Sequence, residues 1–130
     1  FLRWYLDRVR MTPVWLCPLQ VRAHGGPLGD VPAGEQPWSL YPLRAGETYV
    51  NVGFWGTVPI EPGRADGDVN RDVEAAVSRF EGHKSLYSDA YYDEADFWAR
   101  YGGTAYARLK ERYDPAHRLL DLYAKAVKRR

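Results

Sequence analysis

The alternation in Tyr49-Val50-Asn51-Val52-Gly53-Phe54-Trp55-Gly56 constrains this chain more than any other stretch. Successive side chains of an extended strand point to opposite faces. Val50, Val52 and Phe54 therefore share one face, and Tyr49, Asn51, Gly53 and Trp55 the other. Such a strand needs partners, and two other segments qualify. Val14-Trp15-Leu16-Cys17-Pro18-Leu19-Gln20-Val21 reads as a strand in which Pro18 argues for an edge or a bulge. Lys84 to Tyr92 reads as a third, with Leu86 and Ala90 on the aliphatic face and Tyr87, Asp89 and Tyr91 on the opposite one.

Helical spacing accounts for most of the rest. Leu2, Tyr5, Leu6 and Val9 share a face over Phe1 to Val9. Val69, Val73, Ala76, Val77 and Phe80 make an apolar stripe over Asp68 to Glu81, and Gly82 is a fitting stop. Asp93 caps a short helix carrying Phe97, Trp98 and Tyr101, and Thr104 caps the next, with Tyr106, Leu109 and Tyr113 in register. Asp114-Pro115 signals the last helix, with Leu119, Leu120, Tyr123, Ala126 and Val127 inward. The order helix, strand, strand, helix, strand, helix, helix, helix predicts an α+β fold: a short antiparallel sheet with helices packed on one face.

Between the first two strands, His24 to Glu47 carries recurrent Gly and Pro with no periodicity, which reads as a long loop, with Trp38, Leu40 and Tyr41 as anchors for its middle. Three strands are few for a free-standing sheet. The chain also opens on Phe1-Leu2-Arg3-Trp4 in amphipathic register without an initiator Met. Both features predict a piece of a larger protein.

Composition narrows the chemistry. The net charge of +1 offers no global field for nucleic acid. The basic tail from Lys125 to Arg130 reads as charge matched to a helix dipole. The single cysteine, Cys17, rules out an intrachain disulfide and a Cys-rich zinc site, and its setting between Leu16 and Pro18 suits a small hydrophobe. His24, His83 and His117 show no metal-ligand spacing. No apolar run reaches the ~20 residues of a membrane helix, so a cytoplasmic location is expected, peripheral to a membrane at most. Gly53-Phe54-Trp55-Gly56 lacks both the spacing and the following helix of a phosphate cradle.

Aromatic residues make up 15% of the chain. A sheet face of Tyr49, Asn51, Trp55, Tyr87, Asp89 and Tyr91, with Trp15 and Cys17 as neighbours, is apolar in bulk with a few polar handles. Ligand pockets are built this way, and so are aromatic faces that pack on another domain. Asp89 between two tyrosines is either a tuned carboxylate hydrogen-bonded by phenols or a structural acceptor. Tyr87 or Tyr91 could hand a proton to a substrate carbon.

Four segments also carry a resemblance in common order: Pro13-Val14-Trp15-Leu16-Cys17-Pro18, Tyr49-Val50-Asn51-Val52-Gly53, Leu86-Tyr87-Ser88-Asp89-Ala90-Tyr91, and Phe97-Trp98 with the Tyr106/Leu109/Lys110 helix. Together they resemble the C-terminal region of 24-dehydrocholesterol reductase (Diminuto-like) proteins, within the FAD-linked oxidoreductases of the vanillyl-alcohol-oxidase type. The resemblance implies that residues 1–130 are the C-terminal part of a cap, or substrate, domain, with the FAD-binding domain elsewhere in the parent protein. It implies FAD as cofactor, NADPH as electron donor, a small hydrophobic or sterol-like substrate, and reduction of a carbon–carbon double bond. Asp114-Pro115 looks like the family's Asp-Pro helix start. By matched position, Trp15, Cys17, Asn51 and Trp55 face substrate and flavin, and Tyr87, Asp89 and Tyr91 are the catalytic candidates. The alternative is a self-sufficient α+β ligand-binding or dimerisation module without flavin.

Overall fold

The computed structural model describes residues 1–20, 43 and 46–129. Seven elements follow in chain order: α1 (Leu2–Arg8), β1 (Val14–Gln20), β2 (Thr48–Phe54), α2 (Asp68–Arg79), α3 (Glu94–Arg100), α4 (Gly103–Tyr113) and α5 (Leu122–Ala126). They divide into two compact units, one reaching Gly82 and the other starting at His83. The α+β class and the antiparallel sheet are as expected, but among the described residues the sheet has two strands. The loop anchors Trp38, Leu40 and Tyr41, and Val21 at the end of the first strand, lie outside the described residues.

In the first unit β1 and β2 pair antiparallel over their full length, from Val14 opposite Phe54 to Gln20 opposite Thr48. Directly opposed residues share a face. One face therefore carries Val14, Leu16, Pro18, Val50, Val52 and Phe54, and the other Trp15, Cys17, Leu19, Tyr49, Asn51 and Gly53. Helix α1 lies on the first face, where the fully buried Tyr5 stacks on Phe54 with ring centroids 4.3 Å apart. Of the residues expected to share that helix face, Tyr5 is buried and Leu6 is exposed. Phe1 fills the place beside Tyr5 instead, with centroids 5.9 Å apart.

Helix α2 begins after Gly67, whose φ of 83° turns the chain into the helix. Asp68 in its first turn accepts a hydrogen bond from the Ala65 amide at 2.8 Å. Val73 and Ala76 of the expected stripe are buried, while Phe80 at its end is half exposed. The helix stops through Glu81, at φ 56°, with the Gly82 amide donating back to the Val77 carbonyl at 2.8 Å. Gly82 serves close approach, since a Cβ there would meet Val77 Cγ1 at 3.2 Å. Arg8 and Arg64 converge on Asp72, at 3.4 and 2.7 Å, and tie α1 and the preceding loop to α2.

The second unit is helical. Its core is Ala90, Tyr92, Phe97, Tyr101 and Tyr123, with Leu86, Trp98, Leu122, Ala126 and Val127 packed around it. Asp93 caps α3 as expected, its carboxylate accepting the Asp96 amide at 2.8 Å. Three expectations are corrected here. Lys84 to Tyr92 forms turns and irregular backbone, not a strand, because Ala90 and Tyr92 are drawn into the helical core. Helix α4 is capped by Gly102 at φ 66° rather than by Thr104.

Asp114-Pro115, finally, does not start a helix. Asp114 closes α4, and its carboxylate accepts the amides of Arg118 and Leu119, at 2.8 and 2.9 Å, while Lys110 binds it from within the helix. An Asp that caps a helix and an Asp that knots a loop look alike in sequence, because both use a carboxylate to satisfy free amides. The true start of α5 is Asp121, which accepts the Ala124 amide at 2.6 Å.

Candidate functional site

The second face of the two-stranded sheet gathers all four residues expected to meet substrate and flavin. Cys17 lies directly opposite Asn51, and Trp15 opposite Gly53. Trp55 follows the end of β2, with its ring centroid 6.2 Å from that of Trp15. These rings are not sealed in a core: Trp15 is 48% exposed and Trp55 63%.

Gly53 makes the arrangement possible. A Cβ at this position would sit 2.9 Å from Cε3 of Trp15 and 3.1 Å from Cη2 of Trp55. The glycine is thus needed for close approach rather than for an unusual backbone angle, a use of glycine within strands where flat groups come down onto the main chain. The two indoles lie over Gly53, leaving Asn51 and Cys17 farther along the face. Leu19 and Tyr49 extend it toward the other end, where the Gln20 side-chain amide donates to the Gly46 carbonyl at 3.1 Å. The surface is largely apolar, with an amide, a thiol and a phenol as its polar groups.

The role of Gly53 and the place of Leu19 are absent from the sequence reading. The signal was available in part: pairing the two strands residue by residue puts Trp15 across from Gly53, and a bulky ring opposite a glycine marks a site of close approach.

Tyr87, Asp89 and Tyr91 stand differently. They belong to the second unit, and without a third strand they do not join this sheet. Tyr87 is 86% exposed at a turn. Asp89 is not held by phenols: its carboxylate pairs with Arg129 at 3.2 Å, and its carbonyl accepts from Lys84. The Arg129 guanidinium also lies over the Tyr91 ring, 5.0 Å from its centroid. Lys128 beside it pairs with Glu94 at 3.7 Å. The basic tail thus does more than complement a helix dipole, because two of its residues hold the 89–94 segment.

A flat ring system suits the Trp15/Trp55 face, but a dinucleotide's phosphates find no cradle in these elements. β2 runs into a loop, and α2 opens on Asp68, a carboxylate already holding the Ala65 amide. That hydrogen bond, then Arg64 and Arg71, keeps the Asp68 carboxyl below its ordinary range, so the free amides at this helix start are shared with a carboxylate already paired to two arginines. Among the described residues no group of His, Cys, Asp and Glu gathers that could hold a metal ion, and no helix is long and apolar enough to cross a membrane.

Comparison with known proteins finds a distant similarity that runs over almost the whole chain. The chain is 24% identical to the Delta(24)-sterol reductase of Homo sapiens over 128 residues, 98% of its length. It is likewise 24% identical to the Delta(24)-sterol reductase of Rattus norvegicus over 127 residues. The chain spans 22% of the length of these curated relatives. No family model matches it, and no solved structure does. The similarity is therefore to one section of the sterol reductases, and it runs through both units.

Proposed function

We infer that this chain is the substrate-side section of a flavin-dependent reductase that saturates a carbon–carbon double bond in a sterol-like or other hydrophobic compound. The observation that carries the reading is the end-to-end similarity to Delta(24)-sterol reductases, joined to a sheet face whose tryptophans stay open above Gly53. The partners are then the FAD-binding domain of the same parent protein and the hydrophobic substrate.

Saturating a double bond requires a hydride on one carbon and a proton on the other. FAD, replenished by NADPH, supplies the hydride when bound. This chain contributes orientation and exclusion of water: Trp15 and Trp55 offer flat apolar contact, and Asn51 a hydrogen-bonding amide to fix a ring or a hydroxyl. Of the catalytic candidates, Tyr87 is the most exposed, and its phenol is the proton donor this reading assigns. Asp89 and Tyr91 act with it as an anchored pair, since Arg129 engages both.

The test uses the full-length parent protein. It should purify yellow, with flavin absorbance, and consume NADPH with a sterol carrying a side-chain double bond. Tyr87→Phe should slow turnover by about 10²–10⁴-fold, the usual contribution of a positioned acid, at unchanged flavin content. Trp15→Ala should raise KM. A colourless full-length protein that FAD fails to colour would end this reading. Full activity in variants of Tyr87, Asp89 and Tyr91 alike would end the site assignment.

A further inference from the structure

Tyr87 stands 86% exposed at a turn, yet the backbone that carries it is fixed at both ends. Leu86 before it packs against the helical core, and Ala90 and Tyr92 after it are buried in that core. The Tyr101 hydroxyl, on a ring 1% exposed, donates to the Lys84 carbonyl at 2.7 Å. The Lys84 ammonium then reaches across the turn and donates to the Asp89 carbonyl. Within the segment the Tyr87 amide donates to the Ser85 hydroxyl at 3.3 Å. Lys84 is thus tied down by its own carbonyl and ties down the far end with its side chain. Residues 84–89 become a closed loop that holds out one phenol.

Two cations meet at Asp89, and they are not equal. Arg129 pairs with the carboxylate at 3.2 Å, but the two side chains are 45% and 60% exposed. Exposed pairs of this kind are screened and contribute little. The Lys84 bond is charge-assisted and spans the loop from one end to the other. Its long stem gives the reach, and its ammonium carries three donors and no acceptor. An exposed carbonyl at Asp89 would be satisfied by water alone. What the ammonium adds is therefore a fixed loop shape rather than a rescued polar group.

We propose that Lys84 is the positioning residue for Tyr87, its bond to the Asp89 carbonyl setting where the phenol stands when the double bond is protonated. This rests on the reading in which Tyr87 gives the proton, and it adds the group that fixes the donor's place. A proton donor works only within hydrogen-bond reach of its target. A displacement of about 1 Å costs on the order of 10²-fold in rate. Lys84 touches neither substrate nor flavin in this scheme, so its loss falls on kcat.

The experiment compares Lys84→Met, Lys84→Arg, Tyr87→Phe and the Lys84→Met/Tyr87→Phe double variant of the full-length protein. Turnover is followed with NADPH and a sterol carrying a side-chain double bond, and hydrogen exchange is followed over residues 84–91. Lys84→Met keeps the stem and removes the donor. It should lower kcat about 10–100-fold at unchanged KM and flavin content, and speed exchange over residues 85–89 but not in α3. Lys84→Arg retains a cationic donor and should regain most of the rate. In the double variant the lysine change should cost nothing beyond Tyr87→Phe, since a misplaced phenol and a missing one are equivalent. A slow Tyr87→Phe beside a Lys84→Met that turns over as wild type overturns the proposal and leaves the proton-donor reading standing. A fully active Tyr87→Phe overturns that reading and the proposal with it. The proposal also falls if the two losses simply multiply in the double variant. It falls equally if Lys84→Met loses flavin and stability together with rate, because Lys84 would then serve the fold as a whole.

Discussion

The two units use aromatic residues in opposite ways. In the first, Trp15 and Trp55 stay half or more exposed on a sheet face. In the second, Phe97, Tyr101, Tyr92 and Tyr123 form the core, with Phe97 4.6 Å from Tyr101 and 5.2 Å from Tyr123 between ring centroids. The difference lies in what the backbone offers. A two-stranded sheet can cover only one of its faces with its own helix, so rings on the other face remain open. A cluster of short helices closes around its rings and gives their hydroxyls carbonyl partners: Tyr101 donates to Lys84 at 2.7 Å, and Tyr123 to Tyr92 at 3.4 Å. The first unit has one buried tyrosine, Tyr5, and its hydroxyl has no partner.

The strongest way to break the comparison is Phe97→Ala. Removing the central ring of the second unit should lower stability by about 3–5 kcal/mol, as large core deletions do, measured by urea unfolding. An effect below 1 kcal/mol would mean the rings are not one core. Gly53→Val tests the open face. The branched side chain would overlap both indoles, and overpacking of this kind typically destabilises by about 1–3 kcal/mol. Tryptophan fluorescence should change with it, because Trp15 and Trp55 must separate; unchanged emission would refute their closure over Gly53.

A smaller and pH-bound effect is expected at Asp114. The hydrogen bond from Lys110, followed by that from the Leu119 amide, holds its carboxyl down from 3.8 to about 2. The folded state thus binds this proton less readily than the unfolded chain. The resulting stabilisation is complete above pH 3.8 and is lost as the pH falls through about 2. Asp114→Asn should flatten that part of the acid-unfolding curve; an unaltered curve would contradict the pairing.

The smallest effect sharpens the contrast most. Tyr5→Phe removes an unpartnered hydroxyl and should change stability at neutral pH by less than about 1 kcal/mol, toward stabilisation. Tyr101→Phe strips a partner from the Lys84 carbonyl and should destabilise by about 1–2 kcal/mol. Burial also pushes the Tyr5 phenol from 10.0 up to about 12. Its neutral form favours folding up to pH 10, and that advantage is lost as the pH rises through about 12. Unfolding in this alkaline range should become less pH-dependent in Tyr5→Phe.

Local signals suffice where one periodicity or one cap governs a whole segment. The alternation of Tyr49 to Phe54 placed Asn51 and Gly53 on the face shared with Trp15 and Cys17. Asp93 capped its helix, and the spacing of Phe97 and Tyr101 marked a buried ridge. The same reasoning failed where two local patterns compete. Leu86-Tyr87-Ser88-Asp89-Ala90-Tyr91 alternates as a strand would, yet no strand forms there among the described residues. Ala90 and Tyr92 gain more by entering the Phe97 core than by extending a sheet.

What the sequence determined by itself was the α+β class, the pairing face of β1 and β2, and a similarity to one section of the sterol reductases, since each depends on periodicity or order along the chain. Tertiary structure alone decided that Arg129 holds Asp89 and that Ala90 and Tyr92 enter the core around Phe97. Those outcomes rest on contacts between groups that only folding brings together. A carboxylate or a guanidinium carries no mark in sequence of which partner it will meet.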